Sequence, residues 1–201
     1  MRLVLALIAV LTLAACGSTA KPPAAKPVAS NPPAVRPMAS TQPAAGGAGR
    51  AHARVDCSSR SEADFPGAFT DPPNLVVGPL VMIGAAQFTS PHTVREFGGN
   101  KFPLLVKGGH TATVRLAPDA RRIAGLAYGP LPQGEVGLRD TYRSVTFVAC
   151  RPGRSPNHAD GAEITFWSGF VLTRRPVCVP LDIAVDGGEP RRVGVPLGGR
   201  C

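Results

Sequence analysis

Four histidines, His52, His92, His110 and His158, are the residues of this chain best suited to metal or acid–base chemistry. None stands three or four positions from another histidine or a cysteine, the spacing at which one helical turn or tight loop presents two ligands to a transition metal. No metal and no cofactor is expected. The densest polar run is Asn157-His158-Ala159-Asp160-Gly161. An imidazole two positions from a carboxylate suits a base or a cation ligand, but Asn, Asp and Gly are also turn residues, and a turn is the expectation. Hydrolysis needs a nucleophile on a sharp turn beside a base. Gly-x-Ser-x-Gly does not occur, and Trp167-Ser168-Gly169 lacks the preceding glycine. A triad is defined by geometry and not by chain order, so a hydrolase site assembled from separate loops stands as an alternative. Gly98-Gly99-Asn100-Lys101 places a lysine after glycines without phosphate-loop spacing, and reads as a hairpin turn.

Three adjacent arginine pairs, Arg121-Arg122, Arg174-Arg175 and Arg191-Arg192, fall at or near the ends of expected strands. Brought together, their guanidinium groups suit phosphodiesters or carboxylates, as in a wall polymer or a lipid head group. Neighbours in a strand point to opposite faces, so each pair offers one arginine to a common patch. Separate, solvated arginines are the expectation, and an anion-binding module is the alternative. Trp167, between Phe166 and Phe170, has the chemistry of a sugar-stacking platform that Tyr128 or Tyr142 could extend. In a chain with one tryptophan and 5% aromatic residues, core packing is expected instead.

The elements that must position these residues are strands. Of 201 residues, 23 are Gly and 22 are Pro, which excludes a helical bundle, and the length suits one folded domain. Val177, Val179, Leu181, Ile183 and Val185 share one face of a strand, with Cys178, Pro180, Asp182 and Ala184 on the other. Asp186-Gly187-Gly188-Glu189-Pro190 supplies a turn, and Val193, Val195 and Leu197 resume the alternation as a hairpin. Pro180 and Pro196 predict that these strands lie at a sheet edge or carry a bulge. Further strands are expected at 75–83, 102–106, 111–116, 123–128, 144–150 and 163–173. Their number, with no helical period between them, predicts an all-β antiparallel sandwich, immunoglobulin-like, or a related barrel. Residues 58–74 and 151–162 are expected to be long loops. The antibody pattern is not reproduced, because Trp167 follows Cys150 and Val148 occupies the tyrosine-corner position.

Met1 and Arg2 precede the apolar run Leu3 to Leu13, broken only by Thr12, and small residues lead to Cys16. This is the pattern of a secretory signal over residues 1–15, about half the ~20 residues of a membrane-spanning helix. At Leu13-Ala14-Ala15-Cys16 the chain resembles the lipobox of bacterial lipoproteins. That resemblance implies cleavage before Cys16, lipid on its thiol and attachment to the outer side of the cell membrane. Two acyl chains anchor stably where one is marginal. The block from Thr165 to Cys201 is similar to the tails of uncharacterised secreted actinobacterial proteins, which implies no activity.

Residues 16–54 are expected to form an Ala/Pro-rich disordered tether, since residues 17–54 hold seven prolines and no acidic or aromatic residue. The whole chain carries +9 at pH 7. Lys21, Lys26, Arg36, Arg50 and Arg54 lie on the tether, and residues 55–201 are only mildly basic. Nucleic acid is therefore not an expected partner; basicity beside a membrane favours anionic head groups or wall polymers.

With Cys16 lipidated, Cys57, Cys150, Cys178 and Cys201 remain for an oxidising compartment. Four cysteines allow three pairings. Cys57 with Cys150 and Cys178 with Cys201 is the favoured one, because the hairpin returns the chain end toward the outward face that carries Cys178. Residues 55–201 are thus expected to be a disulfide-bonded sandwich, a non-enzymatic binding or structural module whose partner is an envelope protein or polymer.

Overall fold

The computed structural model describes residues 49–201; the signal sequence, Cys16 and the tether up to residue 48 lie outside the described residues. Five strands form the first sheet: β1 (Ala53–Val55), β6 (Thr111–Leu116), β8 (Ser144–Val148), β12 (Val177–Val185) and β13 (Arg191–Leu197), in the order β1-β8-β6-β12-β13. The second contains β2 (Leu75–Val77), β3 (Leu80–Met82), β5 (Leu104–Lys107), β9 (Asn157–Ala159) and β10 (Ala162–Trp167), in the order β2-β3-β5-β10-β9. The third, β4 (Gly99–Lys101), β11 (Phe170–Thr173) and β7 (Ala124–Ala127), is ordered β4-β11-β7. All strand pairings are antiparallel except β1 with β8. The fold is an all-β sandwich-like arrangement, and none of these sheets closes into a barrel.

Alternation dictates the first sheet. Val179, Leu181 and Ile183 of β12, Val114 and Leu116 of β6, and Val145 and Phe147 of β8 point into one core with Leu80, Met82, Leu104 and Val106 of the second sheet. Leu126 and Val171 of the third sheet close it, with Tyr128 just beyond β7 and Trp167 at the end of β10. The second sheet reads differently, as unbroken apolar runs such as Leu80-Val81-Met82 and Leu104-Leu105-Val106. Both of its faces are covered. Val81, Leu105, Ile164 and Phe166 face away from the main core and form a second cluster with Ala68, Phe65 and Phe69 from the loop before β2. The long loop expected at 58–74 is therefore the cover of a sheet.

The expected β12–β13 hairpin is present, in register from Val177↔Leu197 to Ile183↔Arg191. Its turn holds Asp186 and Gly187 at φ 50° and 75°, the left-handed pair that matches strand twist. β13 is the edge strand that Pro196 predicts, but β12 lies between β13 and β6. Pro180 is tolerated there because its carbonyl, which points the same way as its nitrogen, meets Ala117 just beyond the end of the β6 ladder at Leu181↔Leu116.

Several expectations are corrected. The strand expected at 75–83 breaks at Gly78-Pro79, and that at 163–173 breaks at Ser168-Gly169. Gly98-Gly99-Asn100-Lys101 is not a hairpin turn. Gly98, at φ 68°, caps α1 (Pro91–Phe97), and Gly99–Lys101 is β4. Ser90 opens that helix by accepting a hydrogen bond from the Thr93 N–H, with Pro91 in the first turn. Within 151–162, Asn157–Ala159 is β9. Residues before 55 also belong to the fold: Arg50 donates its N–H to Thr141 O at 2.7 Å, and Ala53 and Arg54 pair with Val145 and Thr146.

Candidate functional site

Where β1 runs into a turn, Asp56 organises the backbone. Its carboxylate accepts hydrogen bonds from the Ser58 N–H at 2.9 Å and the Ser58 hydroxyl at 2.7 Å, and its carbonyl accepts the indole N–H of Trp167 at 3.1 Å. Cys57 is bonded to Cys150, and the Ser61 N–H reaches Phe166 O, so this turn is fixed at two points to β10 and at a third to the chain just beyond β8. Opposite it, the chain passes from β10 to β11 through Ser168 and Gly169. Between the two lies a cleft of about 450 Å³ whose polar lining comprises Arg54, Asp56, Ser58, Ser59, Ser61 and Ser168.

The electrostatics of this cleft favour hydrogen bonding over acid–base work. The Ser58 hydroxyl and backbone N–H, with the Arg54 guanidinium a lesser contributor, hold the Asp56 carboxyl below its ordinary range. A carboxylate so stabilised is a poor base for a serine proton. Among the described residues no serine hydroxyl is hydrogen-bonded to a histidine. Ser168 and Trp167 both line this cleft, and Trp167 packs in the core as expected. Trp167 is 3% exposed and leans on Phe147 at 5.3 Å, so it is core and offers no face to a sugar. Ser168 is an exposed rim hydroxyl. The serines of 58–61 were not legible as site residues; only the crosslink at Cys57 hinted that this segment is held in place.

Asn157, His158 and Asp160 are staples. Asn157, 2% exposed, accepts the Ala63 N–H at 3.1 Å and donates to Ser61 O at 2.8 Å. The Asp160 carboxylate accepts the N–H groups of Gly67 and Phe69 at 2.6 and 2.8 Å, and the His158 N–H donates to Asp64. The expected turn is Asp160-Gly161, at φ 49° and 78°. The run thus fastens the covering loop to the second sheet, with Phe65 edge-on to Phe166 at 4.8 Å.

His110 and Asp186 form a pair that the sequence did not disclose, Nδ1 to Oδ2 at 2.7 Å, and the other carboxylate oxygen accepts the Thr111 N–H at 2.8 Å. Those bonds, the backbone one first, hold the Asp186 carboxyl below its ordinary 3.8. A depressed folded-state pKa adds stability that is complete above that value and is lost as pH falls through the folded one. Asp186→Asn, which tolerates the same turn, is expected to be less stable than the parent at pH 7 and to match it in strong acid. Urea unfolding at both pH values checks this.

The arginine pairs are brought together in part. Arg192 grips Asp182 with two bonds, at 2.8 and 3.1 Å, and the cross-strand partner of Asp182 on the other side is Arg115. Arg192, then Arg115 and Arg121, hold the Asp182 carboxyl down. The Arg174 N–H donates to Ile123 O, which places the second pair beside Arg122, while Arg121 Nε bonds Leu116 O. Arg191 begins β13, and Arg175 offers its carbonyl to the Thr173 hydroxyl.

Both favoured cysteine pairs are joined, Cys57 to Cys150 and Cys178 to Cys201, with Cα separations of 4.7 and 5.1 Å. Among the described residues no cluster of His, Cys, Asp or Glu has the makings of a metal site, and no helix is long and apolar enough to cross a membrane. No known protein family, curated protein or solved structure matches the chain.

Proposed function

We propose that this chain is a lipid-anchored protein of a bacterial cell envelope, held on the outer side of the cell membrane through Cys16, and that its sandwich binds a neighbouring envelope component without chemically altering it. The lipobox-like Leu13-Ala14-Ala15-Cys16 supports the anchor. One observation carries the binding role: the cleft between Asp56 and Ser168 gathers four hydroxyls and a guanidinium around a carboxylate already engaged by the Ser58 N–H and hydroxyl. Such a lining suits a hydroxyl- or amide-bearing polymer strand or protein segment. The chain from Gly17 onward is expected to co-sediment saturably with purified envelopes. Ser168→Trp, at an exposed rim position, is expected to weaken that binding about tenfold, roughly 1.4 kcal/mol. Absence of saturable binding, or binding undiminished by this substitution, overturns the reading.

A second reading is favoured by the grouping of Arg122 with Arg174 and of Arg121 with Arg192 and Arg115. There the partner is an anionic wall polymer or head group held at the arginine-rich end. Binding would then fall steeply with salt. Arg122→Ala with Arg174→Ala, which spares the Asp182–Arg192 pair, would flatten that dependence.

A further inference from the structure

Among the described residues, three large apolar side chains are exposed, Phe88 at 50%, Phe97 at 68% and Phe170 at 42%. Phe97 and Phe170 are far apart in sequence yet share a hollow, and Phe88 lies nine residues before Phe97. Phe97 ends α1 and shares a small hollow with Phe170, Asn100 and Lys101, and the Asn100 side chain donates to the Thr89 hydroxyl, next to Phe88. Cations accompany them: Lys101 faces Phe170 across the β4–β11 pair, Arg95 is in the last turn of α1, and Arg200 lines the groove beside Phe88. The acid of α1, Glu96, is engaged by His92 at 3.4 Å.

We propose that this face, built from Phe88, Phe97 and Phe170 with Arg95 and Lys101, rests on an anionic lipid surface. The inference rests on the reading of the chain as lipid-anchored. Aromatic side chains set among cations are what the boundary between head groups and acyl chains accepts, and the cations match anionic head groups. The position of the tether supports the same occupant. Phe170 pairs with Ala127 of β7, Leu126 beside it bonds Tyr142, and Tyr142 bridges to Arg50, so Arg50, near the start of the described residues, lies about three strand spacings, ~15 Å, from Phe170. The 32 residues at 17–48 give a reach of about 30 Å as a coil and about 100 Å as extended polyproline. A bilayer holding Cys16 is therefore presented to this face at an effective concentration in the millimolar range, and weak contact suffices to dock it.

The test holds the chain from Gly17 onward, through an N-terminal histidine tag, on nickel-chelating vesicles of phosphatidylcholine with or without phosphatidylglycerol, and follows amide hydrogen exchange. Both disulfides and all the described residues are retained. Exchange in Phe97–Lys101 is expected to slow about twofold on the phosphatidylglycerol vesicles only, as a millimolar contact at millimolar effective concentration implies. Phe97→Ser with Phe170→Ser, and separately Arg95→Glu with Lys101→Glu, are expected to abolish the slowing. Unchanged exchange on anionic vesicles, or slowing that persists in both variants, overturns the proposal. So does slowing that appears without vesicles as protein concentration rises, which would assign the face to a second copy or a protein partner. The tag replaces the acyl chains, so these outcomes do not depend on lipidation. Lipidation is tested separately by the mass of the Cys16 peptide from cells.

Discussion

Replacing both cysteines of the first bridge, Cys57→Ala with Cys150→Ala, is expected to remove about 4 to 5 kcal/mol of stability and to lower the melting temperature by roughly 10 to 20 °C. The bridge spans 93 residues, and in the chain-entropy treatment the denatured ensemble regains a larger volume the longer the released loop. The second bridge spans 23 residues, so Cys178→Ala with Cys201→Ala is expected to cost about 3 kcal/mol. The order matters more than either value. Thermal unfolding of the two double variants decides it, and a larger loss at the second bridge would show that loop closure is not what the first contributes. The first variant has a local signature too. Cys57 follows Asp56, so the turn that carries the cleft would be left with hydrogen bonds alone, from the Trp167 indole N–H, the Ser61 N–H and the Asn157 side chain on Ser61 O. Envelope binding is therefore expected to weaken in that variant at temperatures where it is still folded, and to survive loss of the second bridge.

Gly169→Ala is expected to destabilise by about 3 kcal/mol, at the upper end for overpacking. An added Cβ would lie 2.1 Å from the Tyr128 ring, and that ring cannot yield. Tyr128 is fully buried, its hydroxyl donates to Phe102 O at 2.6 Å, and it meets Phe147 edge-on at 5.3 Å. Relief must come from the β10–β11 connection, which carries Trp167 and Ser168. The chain has one tryptophan, buried at this point, so its emission reports the displacement as a shift to longer wavelength. Ser168→Ala, one residue away and exposed, is the control and is expected to stay within about 0.5 kcal/mol of the parent. An unshifted emission and unchanged stability in Gly169→Ala would mean that the tyrosine pocket is softer than its contacts imply.

What was legible in the sequence follows the strength of the local pattern. β12 and β13 announce themselves because nine and seven residues alternate around an Asp-Gly turn. β1, β4 and β9 have three residues each, too few for a period of two to rise above chance. α1 has seven residues, two turns, and its Ser90-Pro91 start and Gly98 stop carry more information than its single buried residue, Val94. The cleft was less legible. Ser58, Ser59 and Ser61 face Ser168 only because a crosslink and an indole hydrogen bond hold a distant turn, and no spacing rule records contacts made across a hundred residues. The Asn157–Asp160 run looked chemical for the reason that makes it structural: short polar side chains satisfy backbone groups of a loop that has no ladder of its own.

The placement of Cys57 directly after β1 has a mechanical consequence. A pull through the N-terminal segment loads Arg50 and the three residues of β1 first, and these can detach from β8 and Thr141 one bond at a time. Detachment then stops. From Gly49 to Cys57 the chain spans at most about 30 Å when fully extended, after which the load passes through a covalent bond into Cys150, two residues beyond the end of β8. The sandwich thus yields a short slack and then resists as a whole, which suits a body tugged between two attachments.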